Sequence, residues 1–293
     1  MKQIRFKQFL FLSLFLSYVA AFTQPAGYYD AASGQTGEAL QTALYNIIDN
    51  HVVRTYDQLW TDFQSTDAKA NGKVWDMYSD VPGGSPAYEY TFITDQCGNY
   101  DEEGDCYNRE HSIPASWFND ALPMYTDLFH LIPTDAKVNG MRSNYPFGEV
   151  GSVSWTSTNG SKLGSSNYPG YSGTVFEPID EYKGDIARNY LYMATRYKNV
   201  ISSWSGEMLA DNSYPVFTEW ALNMLLEWHT NDPVSQKEID RNNAIYAIQQ
   251  NRNPFIDHPE YANLIWGTGL FDEPTNHVTD FSANTITLQW TDA

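Results

Sequence analysis

Two neighbouring polar runs carry side chains that could do chemistry together. Glu110 stands directly before His111 in the first run, and Asn139 and Arg142 lie in the second. A carboxylate, an imidazole, an amide and a guanidinium within one short stretch are the parts that metal-assisted cleavage of a phosphodiester requires. The stretch from Cys97 to residue 149 is therefore where we expect the functional centre.

The two candidate oxygen donors suit a hard cation. Hydrolysis of a phosphodiester needs a nucleophile made from water, neutralised phosphoryl oxygens and help for the leaving oxygen. A neutral histidine such as His111 suits the first task near pH 7. Glu110 offers a carboxylate oxygen and Asn139 an amide oxygen. This sparse set leaves several positions for water and phosphate, as magnesium prefers.

A small α+β unit is expected to position these groups. Residues 105–113 and 128–132 are predicted strands, and Thr134 or Asp135 is expected to cap a short helix with Asn139 about one turn in. Two strands followed by a crossing helix would bring Glu110, His111 and Asn139 together.

The adjacency of Glu110 and His111 poses a geometric condition. Neighbours on a regular strand point to opposite faces of the sheet. The two side chains can serve one site only if the strand twists, bulges or ends there, and Pro114 favours an ending.

The two cysteines of the chain bracket a short polar loop. Cys97 and Cys106 are expected to form a disulfide in an exported protein. This bridge would fix the entry of the chain into the run that begins at Asn108.

Elsewhere the pattern predicts a mainly helical body. Helices are expected at 37–53, 56–63, from Asp185 onward, at 216–229 and from Ser235, where Ser235 and Glu238 predict a capping box. Short strands are expected at 73–78 and 88–94, and a long surface loop at 151–173, which is rich in Ser, Gly, Asn and Thr.

The two ends of the chain differ from the body. Residues 1–23 are basic and then apolar, which indicates a secretory signal peptide; the apolar run is shorter than the roughly 20 residues of a membrane anchor. Residues 24–272 are expected to form one domain. Residues 273–293 suggest a linker and the start of a truncated fibronectin type III module, or else a simple strand-like tail.

The charge balance is unusual for a nucleic-acid enzyme. The formal net charge is −19, from 17 basic and 36 acidic residues. Removal of the three basic residues of the signal segment leaves 14 basic side chains against 36 acidic ones, a net charge of −22. This acidity argues against tight non-specific DNA binding by the bare protein, although a bound divalent ion and a few arginines can still hold a phosphate.

Three separated segments, in this order, carry a specific resemblance. NREHSIP (108–114), DLFHLIPTDAKVNGMRSNYPFGEV (127–150) and QKEIDRNNAIYAIQQNRNPFIDHPEY (236–261) resemble the endonuclease I family over roughly residues 37–267. These are secreted or periplasmic nucleases without sequence preference. The resemblance implies an α+β fold with a ββα-metal (His-Me finger) core embedded in a mostly helical domain. It further implies a secreted monomer that is not associated with a membrane.

The resemblance also implies roles for individual residues. His111 corresponds to the general base, and Glu110 and Asn139 to the ligands of a magnesium ion, which manganese or calcium could replace. Arg142 and Asn144 belong to the RSN triplet that follows, and Arg142 would bind phosphate or developing charge. The implied reaction is magnesium-dependent cleavage of DNA, and often RNA, through the backbone, leaving 5′-phosphates.

Four further residues stand in or near these segments. Phe129 departs from the histidine common at its position, and His130 could orient Glu110, approach the phosphate or serve as a structural hydrogen-bond partner. Arg109 is expected either to face away from the site as a salt-bridge partner or to contact phosphate. Arg252 is a further candidate phosphate contact.

Two other functions compete with a nuclease. An extracellular binding or adhesion module with a degenerate nuclease site would fit the acidic surface and the many aromatics. A metalloprotease is disfavoured because the sequence contains no HExxH pair.

Overall fold

Two helices precede the central unit. The computed structural model describes residues 24–267, 277–282 and 285–289. Helix α1 spans Gly37–Ile48 and helix α2 spans Leu59–Thr66, which confirms both predicted helices with shifted ends. The buried positions of α1 include Leu40, Leu44 and Ile48, so the helix packs one apolar face on the core.

The predicted ββα unit follows. Strand β1 (Tyr107–His111) pairs antiparallel with β2 (Leu131–Asp135), with Glu110 opposite Ile132. Helix α3 spans Ala136–Arg142, and the Asp135 side chain accepts a hydrogen bond from the Val138 backbone N–H, as an N-cap does. The second strand begins three residues later than predicted.

A three-stranded sheet stands where a loop was expected. Strands β3 (Val150–Thr156), β4 (Lys162–Ser166) and β5 (Thr174–Glu177) pair antiparallel in the order β3-β4-β5. The prediction of a surface loop at 151–173 is therefore wrong. Strand β3 is mostly exposed, so its composition is polar and resembles that of a loop.

The helical body surrounds one buried helix. Helix α4 (Lys183–Arg196) is buried at every position. Around it stand α5 (Glu219–Asn231), α6 (Gln236–Gln249), the one-turn α7 (Pro254–Asp257) and α8 (Glu260–Trp266). The capping box of Ser235 and Glu238 at the start of α6 is confirmed. Of the described helices, none has the length and apolarity needed to cross a membrane.

Two short strands predicted before the ββα unit are absent. Residues 73–78 and 88–94 form turns and extended chain joined by a backbone hydrogen bond from Val74 to Tyr90. Asp76 turns the chain by accepting the N–H of Tyr78 at 2.8 Å. The alternating apolar residues instead reflect a small cluster in which Val74 and Tyr90 pack with Tyr107.

At the carboxyl end, β6 (His277–Ser282) and β7 (Thr285–Gln289) form an antiparallel pair. The predicted signal peptide at 1–23 and the predicted linker that begins at 273 lie outside the described residues. The start of a further module at this end stays a prediction.

Candidate active site

Glu110 is buried in a polar contact network on one face of β1. It is 2% exposed, and its Oε1 accepts hydrogen bonds from the Tyr78 hydroxyl at 2.9 Å and from Arg142 Nη1 at 2.8 Å. Burial raises the pKa of Glu110 to about 7, against the opposing effects of Arg142 and Tyr78. Among the described residues no hydrogen bond forms to Oε2, which leaves that oxygen as a donor to a cation.

Arg142 lies beneath the site and not on its surface. Its side chain is 1% exposed, and Nη1 binds both Glu110 Oε1 and the His111 carbonyl, the latter at 2.7 Å, while Nη2 binds the Ser112 carbonyl. A guanidinium so enclosed has no face left for a phosphate. This corrects the prediction that Arg142 binds phosphate: it positions Glu110 and the end of β1.

Asn139 is oriented by a partner on β1. Its Nδ2 donates to Asn108 Oδ1 at 2.8 Å, so the amide is turned with Oδ1 free of hydrogen bonds among the described residues. Asp135 holds the helix that carries it, because its carboxylate accepts from the Tyr90 hydroxyl at 2.6 Å and from the Gly104 N–H at 2.8 Å.

The loop that contains Gly104 is closed by the predicted disulfide. Cys97 and Cys106 are bonded across a sequence separation of nine, with their Cα atoms 5.7 Å apart. Because Cys106 directly precedes β1, the bridge ties the disulfide loop, β1 and the start of α3 into one unit.

His111 is held on the opposite face of β1 by a backbone carbonyl. Its Nε2 lies 3.1 Å from the Tyr125 carbonyl oxygen. A carbonyl only accepts, so Nε2 carries the proton and Nδ1 keeps its lone pair. Burial and the neighbouring His130 lower the pKa of His111 to about 3, so the ring is neutral near pH 7. Nδ1 makes no hydrogen bond in the part of the chain that the structure describes, and a neutral imidazole in that state can act as a base.

Aromatic rings stack on this imidazole. The Tyr125 ring lies 4.8 Å from it at 25°, and the Tyr56 ring 6.1 Å from it at 16°. The ring is therefore fixed by contacts on its face as well as by its hydrogen bond.

Strand β1 ends at His111, the ending that Pro114 predicts, and the Glu110 and His111 side chains leave it on opposite faces. Arg142 Nη1 bonds to both residues there. The Arg142 guanidinium thus fixes both the Glu110 carboxylate and the backbone of His111.

The oxygens available here are of the kind that a hard divalent cation binds. Glu110 Oε2 and Asn139 Oδ1 are hard donors without hydrogen bonds among the described residues. In the same part of the chain there is no group of three His, Cys, Asp or Glu side chains arranged for a metal. A site with one carboxylate and one amide leaves most of the coordination to water and substrate, the arrangement magnesium tolerates best.

His130 supports the site from beneath. It is fully buried, its Nε2 lies 2.7 Å from the Met124 carbonyl, and its ring lies 5.5 Å from that of His111. It makes no hydrogen bond to Glu110. The geometry therefore favours a structural hydrogen-bonding role for His130.

The remaining candidates separate into three environments. Arg252 is 2% exposed and pairs with Asp257 at 2.6 Å, which argues against the predicted phosphate contact. Asn144 is exposed on the loop after α3, and its role stays a prediction. Within the described residues no carboxylate oxygen lies within 4.0 Å of Arg109, which argues against the predicted salt bridge; the side chain stacks on Tyr56 instead.

Sequence reasoning missed three supporting groups. Tyr78 lies 32 residues before Glu110, and Tyr125 acts through its carbonyl, which carries no side-chain signal. Asn108 could have been found, because alternation on a strand places it on the same face as Glu110.

Comparison with known proteins identifies the family of this chain. A family model described as Endonuclease I matches residues 36–260. The extracellular ribonuclease of Bacillus amyloliquefaciens is 38% identical over 248 residues, which cover 82% of this chain and 78% of the relative. The extracellular ribonuclease of Bacillus subtilis is 34% identical over 247 residues, with the same coverage.

A third relative is more distant. The periplasmic deoxyribonuclease of Aeromonas hydrophila is 29% identical over 142 residues, which cover 46% of this chain and 48% of the relative. These relatives are named extracellular or periplasmic, which supports secretion of the protein. The endonuclease I family has a ββα-metal core, and β1, β2 and α3 around Glu110, His111 and Asn139 form such a unit. The chain therefore belongs to the endonuclease I family, and it is a secreted nuclease.

Proposed function

We propose that this nuclease is a metal-dependent endonuclease without sequence preference that hydrolyses backbone phosphodiesters to 5′-phosphate products. The observation that carries the proposal is the state of His111. Its Nε2 is bound to the Tyr125 carbonyl, its Nδ1 makes no hydrogen bond among the described residues, and its pKa is lowered to about 3. A base that is neutral at physiological pH and fixed in one tautomer is the group that activates water in such a reaction.

His111 would accept the proton of an attacking water at Nδ1. The Tyr125 carbonyl holds the other ring N–H, and the Tyr56 and Tyr125 rings restrict rotation of the imidazole. This preorganisation means that little conformational freedom is lost when substrate binds.

Glu110 and Asn139 would hold a magnesium ion. When bound, the ion supplies positive charge to the phosphoryl oxygens and to the leaving 3′ oxygen. Arg142 and Tyr78 fix Glu110 through Oε1, and Asn108 fixes Asn139 through Nδ2, so both donor oxygens are presented by side chains that are themselves held.

The substrate is proposed to include RNA as well as DNA. The two relatives with 34–38% identity are named ribonucleases, and the Aeromonas relative is named a deoxyribonuclease. The residues assigned to the reaction act on phosphate and water, which both polymers share. Family membership also favours an enzyme over the adhesion module.

The proposal is tested by digestion of supercoiled plasmid and of a structured RNA, with magnesium and with EDTA. We expect cleavage in magnesium, none in EDTA, and a loss of at least about 10²-fold in the rate of His111→Ala, because a general base contributes on that scale. His258→Ala is the control, since His258 is a partly exposed histidine paired with Glu260. Full activity of the His111→Ala protein would contradict the assignment.

A further inference from the structure

The arginines of this acidic protein are almost all neutralised internally. Among the described residues, six of seven arginines lie within 4.0 Å of a carboxylate oxygen: Arg54, Arg142, Arg188, Arg196, Arg241 and Arg252. Arg109 is the exception in that part of the chain. Asp57 acts on it electrostatically, but from beyond that distance. A positive charge left without an acidic partner in a chain of net charge −19 needs an explanation.

Arg109 is held flat between two aromatic rings. Its Cζ lies 3.4 Å from the centroid of the Tyr56 ring and 4.2 Å from that of the Trp60 ring. Its Nη1 donates to the Tyr56 carbonyl at 2.6 Å, the hydrogen bond it makes within the described residues. Stacking covers the faces of a guanidinium and leaves the other N–H groups at its edge, which suits them to phosphate oxygens.

This stack continues to the proposed catalytic base. The Tyr56 ring lies 4.7 Å from the Tyr125 ring, which in turn lies 4.8 Å from the His111 ring. Arg109 and His111 also share one face of β1, two residues or about 6.6 Å apart along the strand. That spacing is of the order of one nucleotide of an extended strand.

Arg142 cannot supply a phosphate contact here, because its guanidinium is buried against Glu110 and two carbonyls. We propose that Arg109, held between Tyr56 and Trp60, binds a backbone phosphate of the nucleic acid strand, next to the phosphate that is cleaved. This inference rests on the proposed function, because it places a strand across His111.

The test is a binding experiment that does not depend on cleavage. The probe is a fluorescein-labelled single-stranded DNA oligonucleotide, titrated with the His111→Ala protein in EDTA at several sodium chloride concentrations. Arg109→Gln in this background should weaken binding about five- to tenfold. It should also make the negative slope of log K against log salt shallower by about 0.7, as expected for one lost phosphate contact on a single strand. The probe is checked on a gel after each titration.

Two further variants make the result decisive. Lys198→Gln removes the same charge from a lysine that binds Glu38, and its salt slope should equal that of the parent. Tyr56→Leu keeps the charge of Arg109 and removes one side of the stack, so we expect weaker binding with an unchanged slope. Thermal unfolding of each variant checks that it is folded.

The two hypotheses fail separately. If Arg109→Gln lowers stability but leaves affinity and salt slope unchanged, the stack is only structural and the inference is wrong. If the slope changes while His111→Ala retains full nuclease activity, Arg109 binds phosphate but the assignment of the base is wrong.

Discussion

The two faces of strand β1 contrast sharply. On one face, Asn108 and Glu110 point toward α3 and are bound by Asn139 and Arg142. On the other face, Arg109 and His111 are held mainly by ring faces and by backbone carbonyls. One strand thus presents the proposed metal donors from a buried hydrogen-bond network and the proposed base from an aromatic stack.

The difference shows how a short strand can combine opposed chemical requirements. A carboxylate that will hold a cation needs fixed polar partners, because a buried and unpaired charge is costly. A base must instead stay neutral, and burial keeps His111 so, against the opposing effect of the Tyr125 carbonyl on its pKa. Arg142 Nη1 joins the two faces, since it binds both Glu110 and the His111 carbonyl.

On the polar face of β1, Glu110→Gln should cause the largest loss of activity. We expect activity to fall by at least about 10³-fold, because a ligand of the proposed metal is lost, and a bound ion contributes several kcal/mol. Arg142 would also keep its charge without a carboxylate, and stability should fall by roughly 3 kcal/mol. Rates in saturating magnesium and urea unfolding measure the two effects.

A paired change separates these effects. Glu110→Gln combined with Arg142→Met removes the isolated buried charge, so part of the lost stability should return while activity does not. Recovery of activity in the double variant would show that Glu110 serves only to neutralise Arg142.

Acid should lower the stability of the protein through the buried His130, whose ring lies close to that of His111. Burial lowers the pKa of His130 to about 4, from an ordinary value near 6.5. Above pH 6.5 neither the folded nor the unfolded chain binds this proton, so His130 does not reduce the free energy of unfolding there. Between pH 6.5 and pH 4 only the unfolded chain binds it, and His130 alone should cost roughly 3 kcal/mol over that interval.

His130→Gln isolates this contribution. Glutamine does not titrate and can still donate to the Met124 carbonyl, so the variant should lose less stability than the parent between pH 7 and pH 4.5. Chemical unfolding at each pH measures the loss. If the variant and the parent lose the same stability, the acid sensitivity belongs to other groups.

Asn108→Ala tests the orientation of the second metal donor. Without Asn108 Oδ1 the Asn139 amide is free to rotate, and partners of this kind typically alter metal affinity by about 10–100-fold. The magnesium concentration for half-maximal activity should rise by about 30-fold within that range. Asn71→Ala, which removes an exposed amide bound to Glu89, should leave it unchanged; equal shifts in both variants would contradict the assignment.

The sequence predicted the parts of the site that lie on local elements. The alternation around Glu110, the N-cap at Asp135 and the capping box at Ser235 are each set by neighbours a few residues away, and each is present. Arg142 is buried where a phosphate contact was expected, and Arg109 stacks on aromatic rings where a salt bridge was expected, because burial depends on which distant residues pack above a side chain. The partners concerned, Tyr56 and Tyr78, come from segments that no local pattern links to β1.

The smallest effect should follow the loss of one stacked ring. Tyr125→Leu keeps the carbonyl that binds His111 Nε2 and removes only the ring 4.8 Å from the imidazole. A looser imidazole should lower kcat by about tenfold with KM little changed, since orientation is lost but binding is not. Tyr261→Leu is the matched control, because Tyr261 stacks on His258 at the same 4.8 Å. If both variants keep full kcat, the Tyr125 carbonyl alone positions His111, and the stacked ring does not orient it.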